Sequence, residues 1–311
     1  MRLTNHVSFT KTDQYSSGVE ITIIIPNGRT VSALRRTLLP LLPVNTAVIQ
    51  LIVARYMGHE LDYSQTSELK VNLDIPMKIV YSKFKEPPCM RNAALDIVVS
   101  GHVLFLDDDV IPDPSLLKNA VDLIVKDPMT VYQGPPYHTA NTESALARLE
   151  GKLYERGFAS YVTENGNLSL LDARIMLAPR SVFDDCPFND KLIWGGEGRD
   201  LAERLLAKGH ELKIAQTLRV KHINRSTLKE LIDQKRAHGY GRGAQLRSDG
   251  FGKGGWTAYA RRYYRRHFHE PLQNLFLGEL PIQETMYTIM SNMLFWTFAI
   301  INYIKQYSRR D

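Results

Sequence analysis

The sequence predicts an α/β fold, in which a mostly parallel β-sheet is sandwiched by helices and followed by a C-terminal helical appendage. Continuous apolar runs, typical of strands buried on both faces, predict the sheet. Amphipathic helical segments alternate with these runs over the first 110 residues. From Ser226 onward the composition becomes basic and glycine-rich, which predicts the appendage.

Composition narrows the class of protein. The 311 residues are 44% hydrophobic and 23% charged, which is enough apolar material for a sizeable core. A net charge of +6 does not by itself indicate nucleic-acid binding. The two cysteines, Cys89 and Cys186, lack metal-ligand spacing, which excludes a cysteine zinc site. The polar residues 1–18 predict a loose leader without a secretory signal, and we expect a cytoplasmic protein.

The first half of the predicted sheet follows from four apolar segments. Residues 21–25 form the first, and Pro26 ends it. Apolar residues at helical spacing then predict a helix through "VSALRRTLLPLL". Two further strands, "AVIQLIVARY" and "MKIVYSK", precede a helix that opens near Pro88 and closes at Gly101. "HVLFLDDD" is the fourth strand.

The remaining segments complete a sheet domain over residues 19–225. Two helices are predicted in "SLLKNAVDLIVK" and "ESALARLEGKLYERGFASY", with short strands in "MTVYQG" and "LDARIMLAP". A helix in "DLAERLLAKGH" follows, and "ELKIA" and "LRVKHI" predict a closing pair of strands. Residues 226–311 form the predicted extension.

Three consecutive carboxylates follow the fourth strand. Ligands of open α/β sheets bind beyond the carboxyl ends of the strands, so Asp107, Asp108 and Asp109 lie at the expected mouth. If the strand geometry persists, Asp107 and Asp109 face similar sides and Asp108 is opposed. Such a pair of carboxylates suits Mg²⁺ or Mn²⁺ that is also bound by substrate phosphates. The alternative is an acidic turn in which Asp113 caps a helix.

Other candidate residues are ambiguous when taken singly. Glu197 follows two glycines at a helix start, where the helix dipole stabilises a carboxylate, and Asp200 lies in the same helix. Arg91, near a helix start, suits contact with phosphate or base. His222 follows a short strand. The alternatives are a glycine turn, a solvated helix start and a structural histidine.

Taken in order, these motifs resemble the inverting family-2 glycosyltransferases of the GT-A fold. The resemblance covers about residues 19–225 and depends on the ordered set. The matching residues are Ile23 to Pro26, Arg91-Asn92, Phe105 to Asp109, Phe188-Asn189-Asp190, Gly195-Gly196-Glu197, Asp200-Leu201, Arg204-Leu205, Gly209, Val220 and His222.

The resemblance implies transfer of a sugar from a nucleotide-diphosphate sugar to an acceptor hydroxyl, with inversion. It implies Mn²⁺ or Mg²⁺ held by Asp107, Asp109 and His222. The donor-binding residues that it implies are Pro26, Arg91, Asp107 and Asp108. The acceptor would be a glycan or a lipid-linked molecule.

Two departures from the family pattern concern the roles of single residues. Gly198 stands where the family commonly has the catalytic aspartate, so Glu197 is the preferred base and Asp200 the reserve. The end of the second strand carries no acid before Glu60, where the family usually has one that contacts the nucleotide base. A catalytically silent nucleotide-sugar-binding subunit and a nucleotidyltransferase therefore stay open as alternatives.

The extension carries a basic segment and an apolar tail. Two pairs of arginines, Arg261-Arg262 and Arg265-Arg266, cover one broad side of a helix, and no acid occurs in residues 251–269. This pattern suits either anionic lipid headgroups or nucleic acid, and of the two we expect peripheral membrane contact through residues 255–311 at the cytoplasmic face. A buried helix or one that forms a homo-oligomer is the alternative for residues 287–305, and we do not expect nucleic-acid binding.

Overall fold

A computed structural model describes residues 18–28, 30–41, 48–57, 76–158, 161–163, 166–192, 195–249 and 255–307. The predicted leader lies almost entirely outside these residues, as does the glycine-rich stretch at 250–254. The chain divides into two compact units, and the domain boundaries expected from the sequence remain a prediction. The first unit holds the described residues as far as Ala140 with Phe158–Asp190 and Glu197–Ile223, and the second holds the described parts of Asn141–Gly157, Lys191–Gly196 and Asn224–Asp311.

The described residues of the first unit contain ten strands, which form two sheets. They are β1 (Ile21–Pro26), β2 (Val48–Tyr56), β3 (Met77–Ser82), β4 (His102–Leu106), β5 (Val110–Pro112), β6 (Val131–Gln133), β7 (His138–Thr139), β8 (Ile175–Pro179), β9 (Leu212–Ile214) and β10 (Val220–His222).

The larger sheet has the order β3-β2-β1-β4-β8-β6-β9. All neighbouring strands are parallel except that β8 is antiparallel to β4 and to β6. The predicted mostly parallel sheet is confirmed. Its central strands are largely apolar, as expected for a sheet covered on both faces, and β1 is buried along its whole length.

The helices of this unit pack an apolar core against the sheet. Phe105 of β4 makes edge-to-face contacts with Phe183 and Phe188, each at 5.4 Å between ring centroids. The helices are α1 (Val31–Leu38), α2 (Pro87–Leu95), α3 (Leu116–Lys126), the short α5 (Val182–Asp185) and α6 (Glu197–Ala207), while α4 (Ala145–Phe158) belongs mainly to the second unit.

Two sequence-based expectations about elements are wrong. The helix expected to reach Gly101 ends at Leu95, because the Ile97 amide turns back to the Ala94 carbonyl. Both strands of the expected closing pair form, but they do not pair with each other. β9 pairs with β6 in the large sheet, whereas β10 lies between β5 and β7 in a separate three-stranded sheet. A turn separates them, in which the Leu218 amide donates to the Ala215 carbonyl.

The second unit is helical. Its helices after Asn224 are α7 (Leu228–Asp249), α8 (Gly255–Tyr264), a π-helical turn (Arg265–His269), α9 (Glu270–Phe276) and α10 (Ile282–Tyr307).

Close contact between backbones joins α7 to α10. A Cβ on Gly239 or Gly243 would come within 2.5 Å of the carbonyl oxygen of Phe295 or Ala299, so only glycine fits there. Glu284 of α10 also accepts hydrogen bonds from two cations of α4, Lys152 at 2.6 Å and Arg156 at 2.7 Å. None of the described helices is both long and apolar enough to cross a bilayer.

Candidate active site

The site forms at one edge of the large sheet, where the carboxyl ends of β1, β2 and β4 meet. Because β8 runs in the opposite direction, its first residue lies at the same edge, with Ile175 paired to Leu106. Residues that follow the parallel strands and residues that precede β8 therefore gather there. They are Asn27, Arg55, the three aspartates, Asp172 and Arg174.

The three aspartates face three different partners. β4 ends at Leu106 and the chain turns through Asp108, so the expected alternation of a continuing strand is wrong for these residues. Asp107 accepts a hydrogen bond from Arg91 Nη2 at 2.8 Å, Asp108 accepts one from Asn27 Nδ2 at 2.7 Å, and Asp109 Oδ1 lies 3.2 Å from His222 Nε2.

Arg91 lies between Asp107 and Glu197, the residue that the sequence favours as catalytic base. Its side chain is only 3% exposed, and its Nη1 lies 3.9 Å from Glu197 Oε1 while Nη2 bonds Asp107. The helix begins at Pro87, which places Arg91 in its interior rather than at its start. Arg91 Nε and Nη1 are buried without a hydrogen-bond partner among the described residues, which is typical of a site that a ligand completes.

Asn92, the neighbour of Arg91, fixes the segment that leads to Glu197. Its side-chain amide donates to the Phe188 carbonyl at 2.7 Å and accepts from the Phe188 amide at 3.0 Å. The Phe188 ring also lies 5.4 Å from the Arg91 guanidinium. The side chains of Arg91 and Asn92, both on α2, thus contact Asp107 and the Phe188 backbone respectively.

Burial governs the electrostatics of Asp107. Loss of water raises the pKa of its carboxyl above the ordinary value, and the negative charges of Asp109 and Asp172 add to that effect. The Arg91 guanidinium opposes it. Negative charge is therefore concentrated at this edge of the sheet, where a cation would stabilise it.

Glu197 is the first residue of α6, at the positive end of the helix dipole. It follows Gly195 and Gly196, whose φ angles of 125° and 90° favour glycine. This turn places the Glu197 carboxylate beside Arg91.

Gly198 occupies a position that has no room for a side chain. A Cβ there would lie 1.9 Å from the Leu171 carbonyl oxygen, and the Leu171 amide donates to the Gly198 carbonyl at 3.0 Å. An aspartate at this position would displace the Leu171 backbone. Glycine is therefore the residue that fits at position 198 in this structure.

Asp200 is hydrogen-bonded by one residue of its own helix and by one residue before it. Its carboxylate accepts from Arg204 Nη2 at 2.6 Å and Nε at 2.9 Å, and from Asn189 Nδ2 at 3.2 Å. Of the two expected catalytic carboxylates, Glu197 therefore pairs with Arg91 and Asp200 pairs with Arg204.

His222 lies beside the third aspartate of the site. It lies in β10, opposite Val110 of β5, which places it beside Asp109. Its ring packs against Tyr137, with 4.5 Å between the ring centroids, and the Arg174 guanidinium lies over the same Tyr137 ring, 4.6 Å from its centroid. This packing limits the orientations open to the imidazole.

Several residues at this edge were missed by sequence reasoning. Asp172 and Arg174, joined by a hydrogen bond of 2.8 Å, precede a strand instead of following one. The available signal was the charged "DAR" directly before a buried strand, but its meaning depends on the antiparallel direction of β8.

Pro26, expected to bind the donor, is the last residue of β1 and pairs with Ala54.

Asn27 and Arg55 lie nearest to the second aspartate. Asn27 Oδ1 is buried without a hydrogen-bond partner among the described residues, although its Nδ2 bonds Asp108. Burial lowers the pKa of Arg55, and the charge of Asp108 opposes this shift. The Arg55 guanidinium is therefore a buried positive charge near the end of β2, a strand end at which the sequence has no acidic residue.

Two of the three expected metal ligands are brought together. In an octahedral shell with bonds of roughly 2.1 Å, neighbouring donor atoms are roughly 3 Å apart, and the 3.2 Å between Asp109 and His222 fits that spacing. Asp107 is bonded by Arg91 instead. Within the described ranges no three acidic, histidine or cysteine side chains form a complete metal cluster. Such a partial set suits an ion that also binds substrate phosphates.

Two solved structures have a similar fold. The mannosyltransferase PcManGT from Pyrobaculum calidifontis, in complex with GDP-Man and Mn²⁺, is 11% identical with a TM-score of 0.63, over 92% of this chain and 87% of that one. Glucosyl-3-phosphoglycerate synthase from Mycobacterium tuberculosis, in complex with Mn²⁺, UDP-glucose and phosphoglyceric acid, is 16% identical with a TM-score of 0.51, over 75% and 80%. The likeness confirms the expected GT-A fold.

Comparison by sequence gives the family. No curated protein matches the chain significantly. The model of the family described as "Glycosyltransferase like family 2" matches residues 20–241, which is most of the chain. The chain belongs to glycosyltransferase-like family 2.

Proposed function

We propose that the protein is a metal-dependent, inverting glycosyltransferase that moves a sugar from a nucleotide-diphosphate sugar to an acceptor hydroxyl. The observation that carries this proposal is the position of Arg91 between Asp107 and Glu197, next to the Asp109–His222 pair. One buried guanidinium thereby joins the donor side of the site to the acceptor side.

The donor side consists of side chains that bind and orient the nucleotide diphosphate. Asp109 and His222 would hold a divalent ion, which supplies positive charge to the departing diphosphate. Asn27 and Asp108 form a polar corner at the end of β1 that suits the nucleoside. The two solved structures contain Mn²⁺ with a nucleotide sugar, which supports the same pairing of ion and donor here.

On the acceptor side, Glu197 takes the proton of the attacking hydroxyl. A carboxylate that acts as general base typically contributes about 10²–10⁴-fold to the rate. The acceptor hydroxyl attacks the anomeric carbon on the face opposite the leaving diphosphate. This direct attack inverts the configuration at that carbon. We propose a glycan or a lipid-linked molecule as the acceptor.

The two alternatives are less well supported. The main reason to propose a silent subunit was Gly198, but a Cβ at this position would clash with Leu171, and Glu197 beside Arg91 still offers a carboxylate as base. A nucleotidyltransferase would favour a phosphate-binding loop rich in glycine and lysine after the first strand, and "PNGRTVSALRRT" differs from that pattern.

A panel of nucleotide sugars tests the proposal. UDP-, GDP- and dTDP-sugars are incubated with the protein with and without Mn²⁺, and the nucleoside diphosphate released by transfer of the sugar to water or to an acceptor hydroxyl is measured. We expect release from one class of donor, dependent on the ion and abolished by Asp109→Asn. Asp122→Asn, on the exposed face of α3, is the matched control and should retain activity.

Two outcomes would contradict the proposal. Binding of a nucleotide sugar without release under any condition would favour the silent subunit. Release of inorganic pyrophosphate with a nucleoside triphosphate and a sugar phosphate would favour the nucleotidyltransferase.

A further inference from the structure

An exposed apolar stripe runs along α10. Its members recur three, four or seven residues apart, so they share one face of the helix. The other side of α10 is buried at Tyr287, Ser291 and Ala299 and includes the contact with α7. The exposed members are Ile282, Met286, Met290, Met293, Ile300 and Ile304.

The stripe continues into the end of α9. Phe276 is 85% exposed and Leu277 is 63% exposed, and Leu272 is exposed one turn earlier. Single exposed apolar residues are ordinary on protein surfaces, whereas a contiguous run of this length marks an interaction surface. The apolar surface therefore extends over α10 and the segment before it.

A basic segment lies beside this stripe. Tyr263 fixes its position, since its hydroxyl lies 3.4 Å from the Asn292 carbonyl and its ring packs on Trp296 at 4.2 Å. The side chains of Arg261, Arg265 and Arg266 around it are exposed.

Few carboxylates can neutralise this segment. Residues 251–269 contain no acid, and among the described residues Arg265 has an ion pair of 3.5 Å with the exposed Glu270. The surface therefore combines an apolar face with a net positive side.

We propose that the α10 stripe and the basic segment form a docking surface for an anionic lipid bilayer. The helix would lie in the plane of the interface, with the stripe among the acyl chains and the arginines at the headgroups. A second copy of this chain would present the same arginines and no carboxylate from residues 251–269, whereas anionic lipids supply phosphate and carboxylate groups. The proposal is independent of the proposed transferase activity.

Sedimentation with vesicles tests the proposal. The full chain is mixed with vesicles of phosphatidylcholine, with or without about 30% phosphatidylserine, and the bound fraction is measured. We expect binding to the anionic vesicles, weakened by about 0.5 M salt, because salt screens the arginines. Each basic residue contributes about fivefold, so Arg261→Gln, Arg265→Gln and Arg266→Gln together should weaken binding about a hundredfold.

A second variant tests the stripe separately. Met286→Gln, Met293→Gln and Ile300→Gln, which keep good helix formers, should reduce binding by about tenfold or more. The matched control carries Val99→Gln, Val125→Gln and Met129→Gln, three equally exposed apolar residues of the first unit, and should bind as the unchanged protein does. Thermal unfolding of each variant verifies that it folds.

Three results would overturn the proposal. The first is absence of binding to anionic vesicles by the unchanged protein. The second is equal binding by the stripe variant and the control. The third is a dimer by analytical ultracentrifugation that the stripe variant dissolves, without vesicle binding, which would make this face an interface between copies.

Discussion

Arg91 is the residue on which the geometry of the site depends. It is almost fully buried, bonds Asp107 and approaches Glu197, so the charges of all three are coupled. Arginine suits this position better than lysine, because its planar group can face two carboxylates at once. The sequence indicated that Arg91 contacts a phosphate or the nucleotide base of a ligand. The structure adds its contact with Glu197, the proposed general base.

We expect Glu197→Gln to lower kcat about 10²–10⁴-fold, because glutamine cannot accept the acceptor proton. The affinity for the donor should change far less, since Glu197 lies on the acceptor side. Steady-state kinetics together with donor titration measure the two effects separately.

Asp200→Asn is the control for Glu197. Asp200 is bonded by Arg204, so this change should reduce stability more than turnover. Equal losses of turnover and donor affinity in Glu197→Gln would exclude its role as base. So would a far greater loss of turnover in Asp200→Asn than in Glu197→Gln.

We expect Gly198→Ala to destabilise the fold by about 1–3 kcal/mol, because the new Cβ would overlap the Leu171 carbonyl oxygen. Gly101→Ala is the matched control, since no atom lies within 4 Å of a Cβ there. Urea unfolding measures both free energies. A Gly198→Ala protein as stable as the Gly101→Ala protein would show that this position tolerates a side chain.

Among the elements, α7 begins with a capping box. Glu230 accepts hydrogen bonds from the amides of Ser226 at 3.0 Å and Thr227 at 3.1 Å, while Thr227 Oγ1 accepts from the Glu230 amide at 3.2 Å. These backbone donors, the Ser226 amide foremost, hold the pKa of the Glu230 carboxyl below its ordinary value. The ionised form therefore stabilises the folded state.

We expect Glu230→Ala to cost about 1 kcal/mol of unfolding free energy at neutral pH. A lowered carboxyl pKa contributes stability that is fully present above the unfolded-state pKa, and the contribution disappears as the pH falls through the lower folded-state pKa. The difference between wild type and Glu230→Ala should therefore shrink in acid. Glu230→Gln keeps an acceptor and should retain most of the cap. A difference independent of pH would contradict this account.

At the same scale, some of the site follows from local sequence and some does not. The carboxyl ends of β1 and β4 could be predicted because apolar runs and the residues after them are local signals. The positions of Asp172 and Arg174 could not, because they depend on the direction of β8, which long-range pairing with β4 decides. The same reason explains why β9 and β10 joined different sheets.

For the whole molecule, the family fold persists with little identity of sequence. The chain shares the fold of PcManGT with a TM-score of 0.63 at 11% identity. Buried strands require only apolar residues of suitable size, so many sequences satisfy the same sheet. The polar residues at its edge are constrained more narrowly, because a buried carboxylate needs a specific partner.

The central claim is that Asp109 and His222 hold a cation that binds the donor diphosphate. Crystals soaked with Mn²⁺ and a nucleoside diphosphate, measured for anomalous scattering from manganese, test it most directly. We expect one strong peak within bonding distance, roughly 2.2 Å, of an Asp109 oxygen, with His222 and the diphosphate as further ligands. A diphosphate bound away from this edge of the sheet, with no manganese beside Asp109, would contradict the account.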